Sequence, residues 1–370
     1  MRVGINGWFM DQPQVGSGQY VRHLWQELSK RDDLSMLSFQ PAGGTVTVRL
    51  HPWGALGKVW WEQVDLPRAV RSRVDLLHYP YFAAPWSSAC PVVVTIHDLI
   101  PLLFPEYSAN PQVKLYNALV VRAARRADAI IAVSAHTRRD IIRYLGIPAE
   151  RIHITYEAAD ESFRPQNEET VAAVKRRYGI DRYVFYMGGL NRHKNVQTLL
   201  AAFAAARQDA PQPIQLVITG MAHADNPAVF PDLQPVAASL GLSWSEGPAP
   251  AGVDVRFLGL VAAEDRPALY SGAALFAYPS LYEGFGFCPL EAMASGAPVV
   301  CSRAGSLAEI VGDAGILVDP TDVAGMSAAM VSVLTSPALA ADLRARGLRQ
   351  AARFSWAYTA AQTMDVYRSL

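Results

Sequence analysis

The chain has 370 residues, enough for two domains rather than one, and 51% of them are hydrophobic, so sizeable cores can be built. Lys plus Arg and Asp plus Glu both number 33, so the formal net charge is zero and no global field draws the protein to nucleic acid; a phosphate-bearing ligand needs a local basic cluster. The three cysteines, Cys90, Cys288 and Cys301, are odd in number and show no paired metal spacing, which excludes a disulfide framework and fits a reducing cytoplasm.

Met1–Gly7 reads as a first strand and not as a signal peptide, and no apolar run reaches the length that spans a bilayer. A cytoplasmic protein is expected, with peripheral contact at the inner face of the cell membrane left open. Strands buried on both faces are expected at Val3–Asn6, Leu76–Tyr79, Val92–Ile96, Ala129–Val133 and Ile152–Thr155. Helical patterns at Gln19–Leu28, Val113–Arg126 and Thr137–Leu145 separate them. After a polar segment around Phe163–Thr170, the expected linker, the pattern restarts. Strands then follow at Tyr183–Gly188, Gln215–Thr219, Val255–Leu258, Leu275–Tyr278 and Pro298–Cys301, with helices near Val196–Arg207, Arg266–Ser271 and Leu290–Ala294. Pro211–Pro213 and Gly247–Gly252 read as surface loops. The last stretch, from Phe354 to Leu370, reads as an amphipathic helix. Such alternation predicts an α/β protein of two successive parallel sheets flanked by helices, whose ligands bind at the carboxyl ends of the strands.

Four segments at those ends carry chemistry. Gly16-Ser17-Gly18 precedes a helix expected near Gln19, where glycines permit close approach and a helix start favours an anion; a plain flexible loop is the alternative. The third glycine of a dinucleotide fingerprint is absent near Val21, which disfavours an NAD dehydrogenase. His97-Asp98 follows a buried strand; Asp98 either orients the ring or caps a turn. Gly188-Gly189-Leu190-Asn191-Arg192-His193-Lys194-Asn195 places two cations one residue apart, suited to a diphosphate clamp or to a solvated surface pair.

The fourth segment is 279–300, where Glu283 and Glu291 stand eight positions apart around Gly284-Phe285-Gly286-Phe287. A helix is expected from about Pro289 to Gly296, placing Glu291 in its first turn, where meeting the helix dipole would explain it. Glu283, inside the glycine loop, has no such explanation. Carboxylates that accept hydroxyl protons beside loop amides suit a polyhydroxylated ligand with a phosphate. No Asp-x-Asp triplet for a metal occurs anywhere in the chain.

In this order the four segments resemble the retaining GT-B glycosyltransferases of family 4, glycosyl transferases group 1, and the likeness covers nearly the whole chain. The Glu-Gly-Phe-Gly and Glu-Ala-Met-Ala-Ser-Gly-Ala-Pro-Val contexts of the E-x7-E motif carry most of its specificity. Trp61-Glu62-Gln63 with Leu66-Pro67, Asp75-Leu76-Leu77-His78 and Ala132-Val133-Ser134 are similar to bacterial members. The resemblance implies two facing Rossmann-like domains. Residues 1–165 form the acceptor domain and 166–352 the donor domain, and a helix over 353–370 packs back on the first.

Carried over by position, Glu291 holds the donor ribose, and Glu283 contacts the sugar near its 3-hydroxyl. Gly284, Phe285, Gly286 and Phe287 offer amides to sugar and phosphates, and Lys194 binds the diphosphate. Arg192 is implied alongside it, although many members have arginine where this chain has His193. Gly16, Gly18 and Gly189 line the donor, the base stacks near Phe257–Val261 with Leu260 among its contacts, and His97 reaches the sugar or the reaction centre. His97, Glu283, Lys194 and Arg192 are the implied catalytic set. No metal and no cofactor are implied, since the nucleotide-sugar is a substrate and two cations replace a metal ion.

Transfer by a front-face route is expected, with the leaving phosphate deprotonating the acceptor hydroxyl instead of the acid–nucleophile pair of retaining hydrolases. The likeness to bacterial mannosyltransferases implies GDP-mannose as donor, with UDP-glucose open, and a glycan or lipid-linked glycan as acceptor. Pro52–Gln63, with Trp53, Trp60, Trp61 and Lys58, meets an acceptor or a membrane face, or forms aromatic core. The alternatives are a nucleotide-sugar epimerase and a non-catalytic nucleotide-sugar-binding subunit of a polysaccharide assembly complex.

Overall fold

A computed structural model describes residues 1–12, 15–42, 44–48, 55–221, 226–247 and 252–370. The chain divides into two compact units, Met1–Glu157 with Ser355–Leu370, and Ala158–Phe354. The first unit holds β1 (Arg2–Asn6), β2 (Ser35–Gln40), β3 (Val46–Thr47), β4 (Leu76–Tyr79), β5 (Val92–Ile96), β6 (Ala129–Ala132) and β7 (Ile152–Ile154). They form one parallel sheet in the order β3-β2-β1-β4-β5-β6-β7. The second unit repeats the plan with β8 (Tyr183–Met187), β9 (Gln215–Thr219), β10 (Trp244–Glu246), β11 (Val255–Gly259), β12 (Leu275–Tyr278), β13 (Val299–Ser302) and β14 (Gly315–Val318). Its parallel order is β10-β11-β9-β8-β12-β13-β14.

The ten strands expected from the sequence all form, because β-branched and aromatic runs such as Val92-Val93-Val94-Thr95-Ile96 suit a sheet covered by helices on both faces. Four strands were missed: β2, β3 and β10, which lack such a run, and β14, whose Gly-Ile-Leu-Val run is short and lies at the sheet edge. The segment 163–170, expected as linker, lies within the second unit, and a helix capped by Asn167 begins there at Glu168.

The final helix, Trp356–Arg368, is part of the first unit. Trp356 stacks on His23, with centroids 4.8 Å apart and planes 16° from parallel. Deeper in, the Tyr367 hydroxyl meets His78 Nδ1 at 2.6 Å, while His78 Nε2 meets Thr95 Oγ1 at 2.8 Å. Burial pushes His78 down to about 3, so it holds this network as a neutral ring. Among the described residues no single helix is long and apolar enough to cross a membrane.

Candidate active site

In the second unit the chemistry gathers where β8 and β12 end. Lys194 Nζ lies 2.7 Å from Glu283 Oε1 and donates to the Tyr278 hydroxyl at 3.0 Å; that hydroxyl donates onward to the same Oε1 at 2.9 Å. Tyr278 is fixed between Tyr186 and Phe276, stacked within 20° of parallel to each. Burial pushes the Glu283 carboxyl up, but the Lys194 ammonium outweighs it and holds the group below the usual carboxylate range. Glu283 is thus an anion paired to a cation.

The two loops are laced to each other. Leu281 N and Ser280 Oγ both donate to the His193 carbonyl, at 2.7 and 3.1 Å, and Asn195 Nδ2 donates to the Pro279 carbonyl at 3.1 Å. Asn195 holds a left-handed φ of 58°, which asparagine tolerates better than most residues. Ser306 ties down the far side of the loop, donating from N and Oγ to the Glu283 carbonyl at 3.1 Å each. The glycine loop is therefore a braced element.

Gly286 decides where the next helix begins. At φ 116° it turns the chain so that the helix starts at Phe287, and an added Cβ would press on Leu307 at 2.9 Å. The helix was expected from about Pro289; starting two residues earlier, it carries Glu291 beyond its first turn, and dipole capping no longer accounts for that residue. Glu291 is instead buried and accepts from the Tyr270 hydroxyl at 2.9 Å. Burial raises its carboxyl to about 7, against the lowering pull of Tyr270 and Arg266. Two glutamates of one motif thus sit on opposite sides of their ordinary pKa.

A cavity of about 410 Å³ opens at the ends of β9 and β11, lined by residues that include Leu190, Gly220, Gln234, Glu246 and Phe257. Among the described residues no group of three or more His, Cys, Asp and Glu is arranged to hold a metal ion.

In the first unit His97 follows β5. Its Nδ1 lies 2.9 Å from Glu157 Oε1 and its Nε2 3.0 Å from the Pro80 carbonyl, with Tyr20 packed edge-on at 4.9 Å. Asp98 Oδ1 accepts from Ile100 N at 3.0 Å. Of the two roles open for Asp98, capping a turn is the one this bond serves, while Glu157 is the carboxylate paired with Nδ1 of the ring.

The glycosyl transferases group 1 model matches residues 181–336, and the Glycosyltransferase Family 4 model matches 16–163. O-antigen chain mannosyltransferase B of Escherichia coli is 34% identical over 280 residues, covering 75% of this chain and 70% of that one. The chain belongs to the group 1, family 4 glycosyltransferases. Serotype-specific mannosyltransferase WbdA of Escherichia coli is 32% identical over 290 residues, 77% of this chain but 34% of WbdA, so the chain spans about a third of that relative's length. Sucrose-phosphate synthase of Thermosynechococcus elongatus superposes with a TM-score of 0.78 at 20% identity, over 100% of this chain and 98% of that one. The fold is GT-B.

Within this glycosyltransferase, the structure brings Lys194 and Glu283 onto each other but does not put Arg192 with them. Arg192 is exposed, its Nε donating to the Ala228 carbonyl at 2.9 Å. Nor does His193 supply a third cation, since it is buried and pushed down to about 3 by burial and by Lys194. Gly189 accepts through its carbonyl from the Tyr186 hydroxyl at 2.8 Å. Gly284 and Phe285 are buried, and Phe285 packs on Phe287 and Phe354. Leu260 is 63% exposed and lies one residue beyond the cavity lining at Gly259.

Gly16 and Gly18 fall inside a helix that starts at Gly16 instead of near Gln19. Gly18 is buried, and an added Cβ would collide with the Gln12 carbonyl, so close packing accounts for that glycine. Trp61 is fully buried against Trp8 at 5.3 Å and is core, whereas Trp60 is exposed. Pro52 and Trp53 lie outside the described residues, as do 248–251 of the expected Gly247–Gly252 loop.

Lys58 Nζ sits 5.0–5.6 Å from the ring centroids of Trp8, Phe9, Tyr81 and Tyr116, and 3.3 Å from the buried Glu62. Sequence reasoning missed Glu157, Tyr278 and Tyr270. Each lies in or beside a strand or helix run whose apolar character hides a polar tip; for Glu157 an acid just past β7 was the available signal.

Proposed function

We propose that the enzyme transfers mannose from GDP-mannose, with retention and without a metal ion, to a hydroxyl of a glycan or lipid-linked glycan. The observation that carries this reading is the Lys194–Glu283–Tyr278 cluster at the ends of β8 and β12. Lys194 supplies positive charge for a diphosphate, and the start of the Phe287–Ala294 helix supplies amides beside it. Glu291 takes the ribose hydroxyls. Likeness to mannosyltransferases supports the sugar.

The cavity at β9 and β11 supports the base. Its Glu246 is steadied by the Gln234 amide, and a carboxylate there complements guanine, whose N1–H and N2–H donors stand side by side. Uracil offers one such donor.

In the reaction the bond from the sugar C1 to the diphosphate oxygen breaks while the acceptor oxygen bonds C1 from the same face. The acceptor's hydroxyl proton passes to the departing phosphate oxygen, giving GDP and a mannoside. Lys194 stabilises charge that grows on the diphosphate. Glu283 holds the sugar in place of attacking it, because Lys194 and Tyr278 both donate to its Oε1 and lower its basicity. His97 is the residue of the first unit assigned to the reaction. Peripheral membrane contact is proposed on the Pro111–Ala124 helix, where Leu115 and Leu119 are exposed next to Lys114 and Arg122.

A thermal-shift series in EDTA with GDP-mannose, UDP-glucose, ADP-glucose, dTDP-glucose and NAD tests the reading. GDP-mannose is expected to stabilise most, by about 2.7 kcal/mol at a hundred times its Kd. Glu246→Gln should narrow the margin of GDP-mannose over UDP-glucose. Stabilisation by NAD and by no nucleotide-sugar would defeat the proposal.

A further inference from the structure

Three consecutive residues back the glycine loop that carries Glu283. Gly305 packs so closely that an added Cβ would stand 2.4 Å from the Glu283 carbonyl oxygen and 2.6 Å from its amide nitrogen, and it holds a left-handed φ of 63°. Ser306 is fully buried. Its N donates to the Glu283 carbonyl at 3.1 Å, and its hydroxyl faces two carbonyls, that of Glu283 at 3.1 Å and that of Phe285. Leu307 fills the space where a side chain at Gly286 would stand.

Glu283 is thus gripped at both ends, its carbonyl by Ser306 and its carboxylate by Lys194 and Tyr278. The contact with Phe285 has a further consequence. A trans peptide points its carbonyl and the N–H that follows in opposite directions. With the Phe285 carbonyl turned onto the Ser306 hydroxyl, the Gly286 N–H is turned away from Ser306, and Gly286 is the residue that opens the Phe287–Ala294 helix.

Nothing in Gly286 itself fixes that direction. Rotating the Phe285–Gly286 peptide about its own axis changes φ of Gly286, and glycine accepts either sign of φ at little cost. The rotated peptide would present a carbonyl oxygen where the N–H had been, which repels a phosphate instead of binding it. The Ser306 hydroxyl is a hydrogen-bond donor placed to oppose that rotation, and neither it nor Gly305 titrates.

We infer that Ser306 is a positioning residue for the donor: by holding the Phe285 carbonyl it keeps the Gly286 N–H, and not a carbonyl, turned toward the diphosphate. The inference rests on the reading that a nucleoside diphosphate lies against Lys194 and this helix start, but not on which base that nucleotide carries.

The test is isothermal titration of the full chain, wild type and Ser306→Ala, with whichever of GDP and UDP the wild type binds more tightly and with the matching nucleoside. Ser306→Ala should weaken the diphosphate about tenfold or more and the nucleoside about twofold or less. A serine that merely held the fold together would weaken both alike, so equal losses overturn the inference, as does an unchanged diphosphate affinity.

A crystal structure of the wild type with the same diphosphate gives an answer even if Ser306→Ala does not fold. The Gly286 N should lie within hydrogen-bond distance of a phosphate oxygen while the Phe285 carbonyl stays on Ser306. A Phe285 carbonyl facing the phosphate, or a Gly286 N bonded elsewhere, overturns the inference. A wild type that binds neither diphosphate removes the donor reading and the inference with it, whereas binding with equal losses in Ser306→Ala removes the inference alone.

Discussion

Lys194→Met is expected to lower kcat/KM for transfer by about 10²–10³-fold and to destabilise the protein by about 3 kcal/mol. Both effects follow from one geometry. Lys194 Nζ and Glu283 Oε1 are 2.7 Å apart, with side chains only 16% and 11% exposed, so the pair is held largely away from water. Removing the ammonium leaves a carboxylate buried 2.9 Å from the Tyr278 hydroxyl with no cation to balance it. The catalytic loss has a different origin. Negative charge grows on the leaving diphosphate only as the glycosidic bond breaks, so a preorganised cation lowers the barrier more than it improves ground-state binding. The double variant Lys194→Met/Glu283→Gln separates the two effects. Chemical denaturation should show most of the lost stability recovered, while steady-state kinetics should show activity still absent. Recovery of both would make Lys194 a structural partner of Glu283 and nothing more.

Donor affinity is expected to rise with pH through about 7 and to lose that slope in Glu291→Gln, which should bind the donor about 10–100-fold more weakly at pH 8. Burial beside Tyr270 raises Glu291 to about 7 from an ordinary value of 4.5. Below that point the group is an acid whose proton must leave before it accepts two ribose hydroxyls; above it the carboxylate stands ready. The sign for stability is opposite. Between 4.5 and about 7 the folded state binds a proton that the unfolded state does not, so the contribution of Glu291 to stability is full below 4.5 and is lost as pH rises through 7. Isothermal titration from pH 6 to pH 8 checks the first effect, and denaturation of wild type against Glu291→Gln from pH 4 to pH 8 checks the second. Donor affinity independent of pH, or equally sloped in Glu291→Gln, would remove Glu291 from the ribose.

Legibility followed burial. Leu76–Tyr79, Val92–Ile96, Gln215–Thr219 and Leu275–Tyr278 are central strands covered on both faces, and their apolar runs gave bounds identical to those observed. The strands that escaped, Ser-Met-Leu-Ser-Phe-Gln at 35–40 and Trp-Ser-Glu at 244–246 among them, lie at or near sheet edges. Polar residues there erase the continuous run without preventing the backbone pairing.

In the candidate site the charged residues were legible and their partners were not. Lys194 and Glu283 stand out in the sequence as charges in glycine-rich loops. The neutral tyrosine between them, Tyr278, is indistinguishable there from a core aromatic. The start of the helix after Gly286 depended on a positive φ at that glycine, which spacing alone does not specify. Arg192 was paired with Lys194 on proximity in sequence, but one turn of 3₁₀ helix sends the two side chains to different partners.

The most direct test of the donor assignment is a crystal structure of the protein with GDP-mannose, grown with magnesium present. Lys194 Nζ should lie within hydrogen-bond distance of the diphosphate with no ion bridging it. Glu291 should hold the ribose, and guanine should fill the cavity beside Glu246 and Phe257. A magnesium ion held on the diphosphate by protein carboxylates, with Lys194 still bonded only to Glu283 and Tyr278, would contradict it. So would a nucleotide bound away from the ends of β8, β9 and β12.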